Sequence, residues 1–184
     1  MNKLVVHEPY AVRALTLWQP YASAVAVLGK DIENRGWPPG SFRGLILVHA
    51  GLDTDRAALR HLPHDLELPR GAVVAVARIS GAHTDCDGQC STWADLEAEW
   101  HWELSDVVQL PTPVTGVKGR QRIWVPDDDL RHRVAAALPQ TAAGLAAHLR
   151  REPAAPTSDA ARPAVPATPA QPGGSSACLS TPTR

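Results

Sequence analysis

What the chain has little of narrows it first. It holds three Cys, an odd number and too few for a secreted scaffold built on disulfides. It has no apolar run long enough to cross a bilayer. Its first residues, MNKLVVHEPYAVRAL, lack the continuous apolar segment of a signal peptide. A cytoplasmic location with no membrane partner is the expectation. There is no excess of charge either: 18 Lys and Arg against 19 Asp and Glu give a net charge of −1, so only a local basic patch can draw nucleic acid. Aromatic residues are scarce outside tryptophan, with one Phe and two Tyr beside six Trp. Those indoles fill a core or stack on bases, and composition does not separate the two uses.

What is there begins with the stretch from Leu15 to Arg35, which reads as strand, helix, strand. Leu15 and Leu17 alternate with Thr16. Pro20 suits a first helical turn. Tyr21, Ala24, Val25 and Leu28 then form one apolar helical stripe, and Gly29 stands where a left-handed cap ends the helix. Lys30, Asp31, Glu33 and Arg35 follow at once. In an extended chain Asp31, Glu33 and Arg35 share one face.

Downstream, Gly36-Trp37-Pro38-Pro39-Gly40 is a turn-rich loop. Gly44 to Ala50 and Gly71 to Ile79 are apolar strands, the second the strongest in the chain. Between them Asp53 caps a helix through about His61, and the segment to Arg70 is a loop. A polar loop from His83 to Cys90 leads to a short helix capped by Ser91 or Thr92 and carrying Trp93, Leu96 and Trp100. Trp102 to Leu110 is a strand, and Pro111 and Pro113 flank a turn or edge segment. Gly116 to Arg122 is a basic glycine loop, and Ile123 to Val125 a last strand. Asp127 to Asp129 start a helix to about Leu138, favourable with its dipole, and Thr141 caps another to Arg151. From Pro153 onward lie seven of the 17 prolines, with Cys178 as an incidental thiol. Such a segment buries too little apolar surface to offset its ordering entropy, so disorder is expected.

The fold class this predicts is α+β: a small mixed β-barrel with peripheral helices and a disordered C-terminal tail. The expected divisions are a lead-in over 1–12, the barrel over 13–126, C-terminal helices over 127–152 and a Pro/Ala-rich tail over 153–184.

Five motifs in order carry a resemblance. They are Gln19-Pro20; Gly29-Lys30-Asp31-Ile32-Glu33-Asn34-Arg35; Arg43-Gly44 leading a strand to His49-Ala50; Gly71-Ala72-Val73-Val74; and His101-Trp102-x-Leu104 followed by Lys118-Gly119-x3-Ile123-Trp124. Together they resemble the ASCH (activating signal cointegrator homology) domain, a PUA-like β-barrel, over about Arg13 to Val125. The motif spacer between Gly29 and Lys30 is absent. The resemblance implies a cleft beside the segment from Lys30 to Arg35, and RNA or DNA binding, ribonuclease activity or hydrolysis of an acylated cytidine such as N4-acetylcytidine. Fold alone does not select among these.

The residue types favour binding. Lys30, Glu33 and Arg35 read as a cation pair oriented by a carboxylate, fit for a phosphate or a base edge; a plain Glu33–Arg35 tether is the alternative. Arg43, Lys118, Arg120 and Arg122 supply further positive charge, Trp37 in its Pro/Gly loop is the stacking candidate, and the motif adds Gln19. The remaining Trp residues are expected in core or rim packing. If the protein is an enzyme, Lys30 and Glu33 are the catalytic candidates, as a ribonuclease with His49 or as a nucleoside amidohydrolase. The family's amidohydrolases place Thr where this chain has Glu33, and a neighbouring carboxylate is expected to raise a lysine pKa, away from a base at neutral pH. RNA or a nucleotide-like molecule is therefore the expected partner, and the tail's protein partner is unknown. His83, Cys86, Cys90 and His101 are of types that suit zinc, at a spacing of no standard zinc ribbon; a disulfide or two free thiols are the alternatives, and no cofactor is assigned.

Overall fold

The computed structural model describes residues 11–151. The lead-in before residue 11 and the proline-rich tail from residue 152, Cys178 included, lie outside the described residues. The elements are β1 Arg13–Gln19, α1 Tyr21–Val27, β2 Ile32–Arg35, β3 Gly44–Thr54, α2 Arg56–Leu59, β4 Ala72–His83, β5 Trp100–Val114, β6 Ile123–Trp124, α3 Asp128–Ala137 and α4 Ala143–Arg150. A single turn of 3-10 helix, Gln140–Ala142, precedes α4.

The six strands form one sheet in the order β2-β5-β4-β3-β1-β6. Pairings are antiparallel except β1 with β3, which run parallel. The apolar run in β3 is explained by burial on both faces. Leu45 and Leu47 join a cluster with Val76, Leu110, Leu130, Val134 and Leu149, so α3 and α4 cover that face. Ile46 and Val48 point the other way, into a cluster with Leu15, Leu17, Val25, Ile79 and Trp102 beside α1. Truncating a side chain such as Leu47 or Leu149 to Ala costs about 2–5 kcal/mol by loss of burial plus the cavity left behind.

The sheet curls into a half-barrel. The Arg35 guanidinium on edge strand β2 donates to the Thr16 carbonyl of β1, 3.2 Å away, although β5, β4 and β3 separate the two strands in the sheet. The expected small α+β barrel-like architecture is therefore the observed one. Among the described residues no helix is long and apolar enough to cross a membrane.

Local expectations differ in four places. Strand β3 continues to Thr54, so Asp55 rather than Asp53 caps α2, accepting from the N–H groups of Ala57 and Ala58 at 2.9 and 3.0 Å. The helix expected after Ser91 does not form. Residues 84–99 are turns, Leu96 is 76% exposed, and the Ser91 hydroxyl accepts from the Trp93 N–H instead of starting a helix. Strand β5 runs through Pro111 and Pro113 rather than stopping at Leu110, because the pairing register shifts between Val73/Val114 and Ala75/Gln109 and the prolines occupy that irregularity. Thr141 lies inside the 3-10 turn and caps nothing, whereas Asp127 does cap α3 through the Leu130 N–H at 2.8 Å.

Candidate functional site

Gly29 ends α1 in the left-handed conformation, φ +70°, and the Lys30 N–H folds back to the Ala24 carbonyl at 3.2 Å. That turn sends Lys30 inward. The residue is only 2% exposed; its ammonium donates to the Ile32 carbonyl and lies 3.6 Å from Glu33 Oε2. The Tyr21 and Trp93 rings each sit 5.8 Å from Nζ. Glu33 Oε1 is 2.9 Å from Arg35 Nε, so one buried carboxylate is shared by two cations on its own strand segment. Burial pushes the Lys30 pKa below its ordinary value, and Glu33 pulls it only part of the way back. The sign expected from the Lys–Glu pairing is thus reversed, because desolvation exceeds the Coulombic gain.

Glu33 and Arg35 open onto a cleft of about 510 Å³ lined by Thr16, Leu17, Trp18, Tyr21, Glu33, Asn34, Arg35, Trp37, Arg120, Gln121 and Arg122. One wall is β2 and its following loop; the other is β1 with the loop before β6. The Trp37 ring is edge-on to Trp102, centroids 4.6 Å apart, and carries the guanidinium carbons of Arg122 and Arg35 at 5.2 and 5.9 Å. Trp18, expected as packing, stands 57% exposed on the cleft. The alternation that buries Leu15 and Leu17 turns Trp18 outward. The Tyr21 hydroxyl donates to Asp55 Oδ2 at 2.7 Å; burial and then that carboxylate raise its pKa.

Other residues assigned from sequence lie elsewhere. Gln19 is buried and its amide is used inside the fold, Nε2 donating to the Pro69 carbonyl at 2.7 Å and Oε1 accepting from the Ser23 N–H at 3.1 Å. Arg43 donates to the Gly40 and Phe42 carbonyls and lines a separate cavity of about 750 Å³ that includes Arg78, Asp106 and Leu145. That larger cavity offers less free charge, since Arg78 and Asp106 pair at 2.8 Å. Lys118 faces a third hollow with Asp127, Asp129 and Arg133. His49 is buried, with Nε2 3.0 Å from the Val117 carbonyl and Nδ1 3.2 Å from the Thr16 hydroxyl, so it fastens the basic loop and does not line the cleft. Burial lowers its pKa. A Cβ on Gly119 would lie 2.6 Å from His49 Cε1, so this glycine lets the loop that carries Arg120 and Arg122 lie down on His49.

The four His and Cys residues come together beside β2, where His101 pairs with Asn34. His83 ends β4 and His101 is the second residue of β5, directly paired in register, and the loop between them brings Cys86 and Cys90 to the two rings. One nitrogen or sulfur from each of the four lies within 4.8 Å of every other. Both thiols are free, with sulfurs 3.2 Å apart. Residues of the same loop clamp the charged segment: the Asn34 amide donates to the Trp93 carbonyl at 2.8 Å and accepts from the Asp95 N–H at 3.0 Å, and Ser91 donates to Asp31 Oδ1 at 2.5 Å.

In comparison with known proteins, no protein-family model matches the chain, and no curated protein matches it in sequence. Its structure is similar to the crystal structure of an ASCH protein from Zymomonas mobilis, with a TM-score of 0.50 and 14% identity, over 71% of this chain and 98% of that one. The chain therefore has an ASCH-domain fold.

Proposed function

Starting from an ASCH-domain fold, we propose that this protein binds RNA or a nucleotide-like ligand in the cleft between β2 and the loop before β6. The observation that carries the reading is the convergence of Arg35, Arg120 and Arg122 with Trp18 and Trp37 on one open volume. Guanidinium groups take phosphate oxygens in a bidentate fashion, and exposed indole faces stack on bases without regard to sequence. A cleft of about 510 Å³ is in the range of small-ligand sites and suits one nucleotide unit. The net charge of −1 makes this local cluster, not the whole surface, the source of attraction. The coarser part, an RNA-binding class of fold, is supported by the likeness to the ASCH structure; the choice of ligand and cleft rests on the arginines and indoles named above.

One observation favours a hydrolase as the second reading. Lys30 is buried with a lowered pKa and touches Glu33, which lines the cleft. Burial that disfavours the ammonium moves such a lysine in the direction a general base needs. The direct test is to incubate the protein at low salt with short single-stranded RNA, tRNA and a nucleoside panel, and to measure bound species and products by mass spectrometry. Retained RNA with no product supports the binder. Product that vanishes in Lys30→Ala supports the hydrolase. Neither binding nor turnover contradicts both.

A further inference from the structure

We propose that His83, Cys86, Cys90 and His101 form a closed, four-ligand zinc site that pins the loop of residues 84–99 onto β2. The donor set comes first. Two thiols and two imidazoles are the borderline-soft ligands that select zinc over the oxygen-seeking cations. Their spacing approaches that of a tetrahedral ligand set. Bond lengths of about 2.3 Å to sulfur and about 2.0 Å to nitrogen place sulfurs about 3.8 Å apart and each sulfur about 3.5 Å from a nitrogen. The two sulfurs here are 3.2 Å apart, and His101 Nδ1 is 2.8 Å from Cys86 Sγ and 3.6 Å from Cys90 Sγ. A disulfide needs about 2.05 Å.

The groups behind the ligands are the second, independent observation. His83 Nδ1 is 3.0 Å from Glu103 Oε1, so that nitrogen donates and Nε2 keeps its lone pair. Nε2 is buried with no hydrogen-bond partner among the described residues, and His83 belongs to the converging cluster. His101 Nε2 is 2.9 Å from the Asp95 carbonyl, so it donates there and leaves Nδ1 to face the sulfurs. A carboxylate or carbonyl holding the far nitrogen of each imidazole is the usual support of a metal-binding histidine. Room for it is built in: a Cβ on Gly81 would stand 2.3 Å from Glu103 Oε2, so only glycine there lets that carboxylate reach His83.

All four positions are filled by protein, the mark of a structural rather than a catalytic centre. Its role follows from what the loop touches. Ser91, Trp93 and Asp95 hold Asp31 and Asn34, and the Trp93 ring lies against Lys30. Between the two strands the loop has no helix or strand of its own. Metal ligation replaces the packing that so polar a segment cannot supply.

The test uses the full chain, purified under reducing conditions without chelator. Elemental analysis by mass spectrometry is expected to find one zinc per chain. After chelation, titration with cobalt(II) is expected to give the visible bands of a tetrahedral centre and a thiolate-to-cobalt charge-transfer band, saturating at one equivalent. The Cys86→Ser/Cys90→Ser variant should lose both. Glu103→Gln, which leaves every ligand in place, should weaken affinity about 10- to 100-fold. Limited proteolysis should cut the loop faster in the metal-free wild type than in the loaded one. Wild type that stays folded yet shows no tetrahedral cobalt spectrum overturns the proposal, as does a double variant that binds like wild type. An intact mass showing both thiols oxidised to a disulfide in freshly purified, anaerobic protein overturns it too.

Discussion

Arg35 on β2 donates to the carbonyl of Thr16 on β1 at 3.2 Å, across the open side of the curled sheet. This bond joins the two walls of the cleft. It also fixes Arg35 at the floor, so the side chains left to grip a ligand are Arg120 and Arg122 on one side and the indoles of Trp18 and Trp37 around them. The predictions below follow from that division between residues that build the cleft and residues that face its contents.

Glu33→Gln should be costly to stability. Among the described residues Glu33 is the only carboxylate within ion-pair distance of Lys30, and its side chain is 8% exposed against 1% for Lys30. Removing one partner of a buried pair leaves an uncompensated charge and costs about 3–5 kcal/mol. Urea unfolding measures it. A loss well under 1 kcal/mol would mean that Lys30 is neutral in the folded protein or that water reaches it.

Gly119→Ala should loosen the basic loop. The added Cβ, 2.6 Å from His49 Cε1, forces the loop or the imidazole to move. Overpacking of this kind costs about 1–3 kcal/mol. RNA affinity should fall along with the melting temperature, because Arg120 and Arg122 ride on that loop. Unchanged affinity in a destabilised variant would separate the loop's packing from the cleft.

Acid should destabilise the protein through His49. Burial holds its pKa below the usual 6.5. Below about pH 6.5 the unfolded chain then binds a proton that the folded chain refuses, so stability rises with pH through that window and is lost as pH falls through the folded-state pKa. His49→Gln removes the titrating group. Melting temperatures recorded from neutral to acid pH should fall less steeply for the variant than for wild type. Parallel curves for the two proteins would place the acid sensitivity elsewhere.

Asn34→Ala should free the loop of residues 84–99 without emptying the cleft of charge. It deletes two hydrogen bonds, one part-buried to the Trp93 carbonyl and one exposed from the Asp95 N–H. The cost is about 1–3 kcal/mol. Hydrogen exchange over residues 91–99 should rise; protection equal to wild type would show that other contacts hold the loop.

Much of this architecture is legible from the chain alone, for reasons particular to its residues. The runs Gly44 to Ala50 and Gly71 to Ile79 announce buried strands because both faces of β3 and β4 are covered. Gly29 and Asp127 mark helix ends correctly because their local geometry needs no tertiary partner. Where a distant partner decides, the sequence misleads. Residues 91–100 carry helical spacing, yet Asn34 and the His–Cys cluster claim the loop. The pKa of Lys30 depends on burial, which no spacing reveals. Gln19, Arg43 and Lys118 have the right chemistry for a nucleic-acid site, but strand order places their side chains away from the cleft wall. The four possible metal ligands meet only because His83 and His101 pair across β4 and β5, a register absent from the linear spacing.

The central claim is that Arg120 and Arg122 hold a phosphate-bearing ligand in this cleft, and the salt dependence of RNA binding tests it most directly. Fluorescence anisotropy of a short single-stranded RNA, titrated across ionic strength, gives the slope of log affinity against log salt for wild type and for Arg120→Ala/Arg122→Ala. The account predicts measurable low-salt binding by wild type, and a double variant at least tenfold weaker with a slope shallower by about 1.4, or about 0.7 for each lost phosphate contact. No binding by wild type at low salt, or equal affinity and slope in the two proteins, would contradict it.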